Sequence, residues 1–235
     1  MVGQAEELTD VVETHGYRRL IFDLDCTLTR LVLPWPDWIA AIVAELQPTA
    51  RGRLEAIMST PGAAWGDALN EQIELGDISP QRVIDITRTF EGVDVAHVPN
   101  WPLVEAAAAM ASAGRELFLW SNNMHSTCDQ VLREVGIHSC FGRIVGRDDV
   151  RFGKPHPEGW ELISDHRDPT TYLLIGDSDN DKRGALLANI PYFAVQFPIP
   201  ERDVRLGDSS AETISGTARL GVVNFPKTRK QGDPE

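Results

Sequence analysis

At 235 residues the chain is long enough for one or two domains with a sizeable core. Its 42% hydrophobic and 24% charged content is that of an ordinary globular protein, and a net charge of −13 argues against nucleic acid or an anionic membrane as partner. No apolar run is long enough to cross a bilayer, so no membrane span is expected. The N-terminal MVGQAEELTD carries acids where a signal peptide would carry basic residues, which predicts a cytoplasmic location. Cys26, Cys128 and Cys140 form no CxxC pair and fit a reducing compartment.

Along the chain, 1–16 is expected as an N-terminal helix or arm. Five compact apolar runs then predict strands: RLIFDLD (19–25), ELFLWSN (116–122), RIVG (143–146), TYLLIGDS (171–178) and YFAVQF (192–197). They show little polar–apolar alternation, as strands of a parallel sheet buried on both faces do. Helices are predicted between them at 102–113, 126–135, 157–165 and 181–189, the last stopping near Asn189 before Pro191. This alternation predicts an α/β fold, doubly wound around a mainly parallel five-stranded Rossmann-like sheet. The gap from 31 to 100 holds no good strand. It carries helical patterns at 35–46, 66–75 and 79–90, the last opening on Ser79 as N-cap with Pro80 at the first helical position. About 70 residues is too long for a simple crossover, so 31–100 is expected as a small inserted α-helical domain. The core is then 17–30 with 101–200, and 201–235 is expected as a C-terminal extension, partly flexible.

In parallel α/β sheets the ligand crevice lies beyond the carboxyl ends of the strands. Four polar clusters fall there: Asp23-x-Asp25, Ser121-Asn122-Asn123, Lys154-Pro155, and the run Gly176 to Asp181. Asp23, Asp25, Asp177 and Asp181 would crowd several carboxylates into one crevice and raise their pKa values. A hard divalent cation with oxygen ligands would relieve that crowding. Lys154 adds a positive charge, and Ser121 with nearby backbone N–H groups adds donors, which together are the parts of a phosphoryl-transfer site. Two other readings fail: the Asp177-x-Asp179-x-Asp181 run has Lys182 where an EF-hand loop needs glycine, and no GxxxxGK phosphate loop exists. His125, Cys128, His138 and Cys140 match no common zinc spacing.

The four clusters, in this order, resemble the signature motifs of the haloacid dehalogenase-like superfamily, phosphatase branch, and the helical insertion resembles that family's C1-type cap, as in phosphoglycolate phosphatases. The resemblance spans about residues 19–197. It implies Asp23 as nucleophile, Asp25 as general acid and base oriented by Thr27, and Lys154 as stabiliser of the transferring charge. Thr27, Ser121, Asn122 and Lys154 would surround the substrate phosphate. Mg²⁺ would be held by Asp23, Asp177 and the backbone carbonyl of Asp25, with Asp181 and Ser178 behind them. The implied activity is hydrolysis of a small phosphorylated metabolite by a monomer or homodimer. A phosphomutase of the same superfamily and a non-catalytic metal- or phosphate-binding module are the alternatives. Members that cleave carbon–halogen bonds lack an acid at the position of Asp25. The family motif reads D-x-D-G-T, and Cys26 stands in place of its glycine. Cys26 is expected as a small packing residue following the glycine's path with φ negative, or else as a redox-sensitive thiol beside the nucleophile. Trp35, Trp38 and Trp65 are expected to close the insertion's own core, with Trp65 or Arg53 as the alternative contact to a leaving group.

Overall fold

The apolar runs pair side by side into one sheet. The computed structural model describes residues 3–59 and 64–198. In chain order the elements are α1 (Gln4–His15), β1 (Arg19–Phe22), β2 (Thr29–Leu31), α2 (Trp35–Glu45), α3 (Pro48–Met58), α4 (Trp65–Glu74), α5 (Pro80–Glu91), β3 (His97–Pro99), α6 (Trp101–Ser112), β4 (Glu116–Trp120), α7 (His125–Glu134), β5 (Phe141–Val145), α8 (Glu158–Ser164), β6 (Tyr172–Gly176), α9 (Asp179–Ala188) and β7 (Tyr192–Ala194). Strands β5-β4-β1-β6-β7 form a five-stranded parallel sheet. The α/β fold class is the one expected, and the expected 201–235 extension lies outside the described residues.

Successive strand residues point to opposite faces, and both faces are covered. Leu20, Phe22, Leu117, Leu119, Leu173 and Ile175 pack on one side with residues of α1, α6 and α7. Ile21, Phe118, Trp120, Tyr172 and Leu174 pack on the other with α8 and α9. That two-sided burial is why the strands read as unbroken apolar runs.

The strands end sooner than their apolar runs do. β1 stops at Phe22 rather than Asp25, and β6 at Gly176 rather than Ser178, which leaves the acids on turns beyond the sheet. Between 31 and 100 the expectation of no strand is corrected: β2 pairs antiparallel with β3, Arg30 opposite Val98. Each is three residues long, and β3 ends in a proline, so neither carries a periodic signal. α3 was also not expected, because only Ala50 and Leu54 on it are buried. Helices α2 to α5 enclose an apolar cluster of their own, including Trp38, Ile42, Leu46, Leu54, Ile73 and Val83. The Ser79 cap forms as predicted, its hydroxyl accepting from Arg82 N at 3.1 Å. Among the described residues, no helix is long and apolar enough to cross a membrane.

Contacts from α4 seat this helical segment on the sheet domain. Gly66 N donates to Asn180 Oδ1 at 3.0 Å, Asn70 Nδ2 donates to the Gly153 carbonyl at 2.7 Å, and Asp67 pairs with Arg183. A Cβ on Gly66 would lie 1.9 Å from the Lys154 carbonyl oxygen, so only glycine permits this approach.

Candidate active site

The site forms where β1, β4 and β6 end together. Asp23 leaves β1 with its N–H still bonded to the Ile175 carbonyl at 2.9 Å, and Ser121 leaves β4 bonded to Val145 at 2.9 Å. The sheet therefore aims both side chains before any loop begins. Lys154, 2% exposed, reaches between two carboxylates: its Nζ lies 2.5 Å from Asp23 Oδ1 and 2.5 Å from Asp181 Oδ1. Asp181 is fully buried in the first turn of α9, and its other oxygen accepts from Ser178 N at 3.1 Å and Ser178 Oγ at 2.5 Å. This is a capping box that also grips the lysine. Gly176 is required beside it, since a Cβ there would sit 2.5 Å from Asp181 Cγ.

The loop after β4 is braced by side chains. Asn122 holds the main chain of Lys154 at both ends of its amide: Oδ1 accepts from Lys154 N at 2.7 Å and Nδ2 donates to the Lys154 carbonyl at 3.1 Å. Ser121 Oγ donates to Asn123 Oδ1 at 2.9 Å, and Asn123 Nδ2 donates to Glu91 Oε1 at 3.1 Å. Glu91 also accepts from Met124 N at 2.8 Å. Glu91 is buried at the end of α5, so the helical segment itself props the Ser121 loop. The sequence reading missed it. The signal was there, since Glu91 is four residues beyond buried Thr87 on the inward face of α5.

Asp25 occupies a different environment. Its Oδ1 accepts from Leu31 N at 2.8 Å and from the Cys26 thiol, and the Trp35 indole nearby also favours its charged form. Burial raises the Asp25 carboxyl, and these donors only partly offset it. Burial also raises Asp23; Asp181 and Asp177 push the same way, and Lys154 opposes them. Lys154 would lose its proton more readily through burial alone, but Asp181 and Asp23 more than reverse this and keep it charged. Asp177 sits exposed at the rim, moved upward by desolvation on its inner side and by Asp181. Asp23, Asp177 and Asp181 each offer one oxygen, all within 4.8 Å of one another. An all-carboxylate donor set, with Asp23 and Asp177 raised, suits a hard divalent cation. Among the described residues no such group includes His125, Cys128, His138 or Cys140.

Most of the expected site residues converge on one cleft of about 300 Å³, lined by Asp23, Asp25, Ser121, Asn122, Lys154, Asp177 and Ser178 among others. Two of the expected phosphate neighbours have further surroundings. Thr27 is fully buried and absent from the cleft lining; its hydroxyl has no partner among the described residues and its carbonyl accepts from Asn100. Asn122 lines the cleft, with both ends of its amide bonded to the Lys154 main chain.

Cys26 departs from expectation. Its φ is +60°, the left-handed region that glycine enters freely and other residues enter at a cost of about 1–2 kcal/mol. Burial, then Asp25, Asp177 and Asp23, push the thiol well above its ordinary range, which disfavours the reactive thiolate. Cys26→Gly is expected to raise stability by about 1 kcal/mol, or roughly 2–4 °C in melting temperature for a domain of this size. A thermal melt that shows no gain or a loss would mean Cys26 packing outweighs its backbone strain.

A family model described as haloacid dehalogenase-like hydrolase matches residues 20–195. The chain belongs to the haloacid dehalogenase-like hydrolase family. A phosphoglycolate phosphatase of Mesorhizobium japonicum is 32% identical over 208 residues, covering 82% of this chain and 88% of that one. A probable phosphatase of Dickeya dadantii, IndB, is 26% identical over 193 residues, covering 78% and 83%. Among solved structures, that of a predicted phosphoglycolate phosphatase from Haemophilus somnus superposes with a TM-score of 0.50 at 19% identity, covering 80% of this chain and 91% of that one. At that identity the likeness is one of fold.

Proposed function

We propose that this member of the family is a Mg²⁺-dependent phosphomonoesterase, hydrolysing a small phosphorylated metabolite through an aspartyl-phosphate on Asp23. The observation that carries this reading is a buried ammonium, Lys154, held by Asp23 and Asp181 in a cleft that also presents Asp25, Asp177 and Ser121. The phosphatase names of the two sequence relatives support it. In this reading 17–30 with 101–200 is the catalytic core and 31–100 is a cap that encloses the substrate.

Each step follows from the residues. An Asp23 oxygen bonds to phosphorus as the ester P–O bond breaks. Asp25 gives its proton to the departing alkoxide; a carboxyl with a raised pKa suits that task. Asp25 then takes a proton from water as the water oxygen attacks phosphorus, and the Asp23–phosphorus bond breaks to free phosphate. Lys154, and the Ser121 hydroxyl on turning from Asn123, donate to the phosphoryl oxygens as charge builds on them. Asp23, Asp177 and the backbone carbonyl of Asp25 would hold Mg²⁺. Asp181 has both oxygens engaged by Lys154 and Ser178 and would steer the others from behind. When bound, the ion supplies charge neutralisation for the carboxylates and the phosphoryl group.

Phosphate release from a panel of phosphomonoesters tests this reading. Release that needs Mg²⁺, stops with EDTA and matches substrate loss one for one is the expected result. Isomer formation without phosphate would make the protein a mutase, and no turnover of any ester would overturn the enzymatic reading.

Mg²⁺ should also stabilise the fold in a pH-dependent way. Asp23 and Asp177 have raised folded-state pKa values, so their ionisation destabilises the metal-free protein as pH rises through those values. At lower pH their protons compete with the ion. The melting-temperature gain from Mg²⁺ is therefore expected to be larger at pH 8 than at pH 5.5. An equal or reversed gain in differential scanning fluorimetry would place the ion elsewhere.

A further inference from the structure

Resting on the phosphatase reading above, we propose that the leaving alcohol is uncharged and carries a planar aromatic ring, rather than a carboxylate such as glycolate. The apolar lining of the cleft is Trp35, Trp38 and Ile39 from α2 with Trp65 from α4. The three indoles pack edge to face, with centroids 5.7 Å apart for Trp35–Trp38 and 5.8 Å for Trp38–Trp65. The Trp38 N–H is taken up by Thr87 Oγ1 at 3.0 Å, the Trp35 indole lies beside Asp25, and the Trp65 N–H is buried without a partner among the described residues. What they present to the cleft is aromatic surface, the natural partner of another ring. Trp38 is 9% exposed and belongs to the helical segment's core, whereas Trp35 and Trp65 are only half-buried and keep ring surface for the cleft.

Charge argues the same way. Among the described residues, Lys154 is the one cation lining the cleft, and Asp23 and Asp181 already engage it. Arg147 lies behind it against a void of about 30 Å³, and its guanidinium donates to the carbonyls of Val150 and Arg151. Arg53 is paired with Asp77, away from the cleft lining. A second anionic group on the substrate would find, among the described lining residues, no positive side chain other than Lys154 to pair with. A cleft of about 300 Å³ is at the small end for ligand sites, room for a phosphoryl group and a single ring system.

The test compares kcat/KM for 2-phenylethyl phosphate, uridine 5′-monophosphate, ethyl phosphate and 2-phosphoglycolate, with acetyl phosphate as a ringless, activated control. Phenylethanol and ethanol are closely matched as leaving groups, so their ratio reads the ring. Burial of one ring predicts a preference of roughly tenfold to a hundredfold over ethyl phosphate. The preference over 2-phosphoglycolate should be at least as large. The phenyl and uridine arms separate a simple arene from a nucleobase as the ring's source. Equal or better use of 2-phosphoglycolate than of both ring esters, with acetyl phosphate hydrolysed, overturns this inference and leaves the phosphatase reading standing. Failure to hydrolyse any of the five compounds with Mg²⁺ present overturns both. Trp65→Ala should reduce the ring-over-ethyl ratio severalfold and Trp65→Phe should restore most of it; a ratio unchanged in Trp65→Ala removes Trp65 from the ring wall. In the Asp23→Asn protein, ring esters should quench indole fluorescence saturably at concentrations at least roughly tenfold below any effect of 2-phosphoglycolate.

Discussion

Asp23→Asn is expected to lower turnover by about 10⁴-fold or more while the protein stays folded. The two side chains have nearly the same shape, and the amide oxygen still accepts from Lys154. Lys154 keeps its bond to Asp181, so no buried ammonium is left unpaired. Removing one of the crowded acids should even leave the melting temperature unchanged or slightly raised, because burial, Asp181 and Asp177 all oppose the ionised Asp23. The neutral amide oxygen is a far weaker nucleophile than a carboxylate, so chemistry is lost and folding is not. Steady-state kinetics with a thermal melt on the same sample checks both halves. Residual activity above about one per cent of wild type would assign the attack to another group.

Lys154→Met is expected to have the largest structural effect of any single change in the site. It deletes the one ammonium that faces Asp23 and Asp181 while leaving both carboxylates buried. Breaking a buried ion pair from one side costs about 3–5 kcal/mol. For a domain of this size that is roughly 10 °C in melting temperature. The deficit should depend on pH. Without Lys154, the Asp23 carboxyl rises further in the folded state. A carboxyl raised on folding destabilises above its folded pKa and ceases to do so as pH falls through it. The gap between variant and wild type should therefore narrow from pH 8 to pH 5 in thermal melts. A gap that stays constant or widens would mean the lysine acts through packing against Trp120, 6.0 Å from its ring centroid, more than through charge.

The fold was legible because its cause is local. Residues such as Leu20-Ile21-Phe22 and Leu173-Leu174-Ile175 are apolar without alternation, and a strand buried on both faces has no other way to be written. Glu91 could have been read from the helical spacing of α5, as noted. The β2–β3 pair could not: each strand is three residues long, and the pairing spans the whole helical segment between them. The left-handed backbone at Cys26 was also hidden, because a cysteine gives no sign of the conformation that its neighbours impose on it.

By itself the sequence determined which residue types stand at the ends of which strands: Asp23 and Asp25, Ser121, Lys154, Asp177 and Asp181. That is set by chain order and by the period of burial. Only the tertiary structure decided how those residues divide the work of the site. It put Asp181 on the lysine, bonded the Asn122 amide to the Lys154 main chain, buried Thr27 and lined the cleft of the carboxylates with tryptophans. Lys154 and Asp23 are 131 residues apart in the chain and 2.5 Å apart in space. A hydrogen bond acts only at such distances, and only the packing of helices on both faces of the sheet sets them.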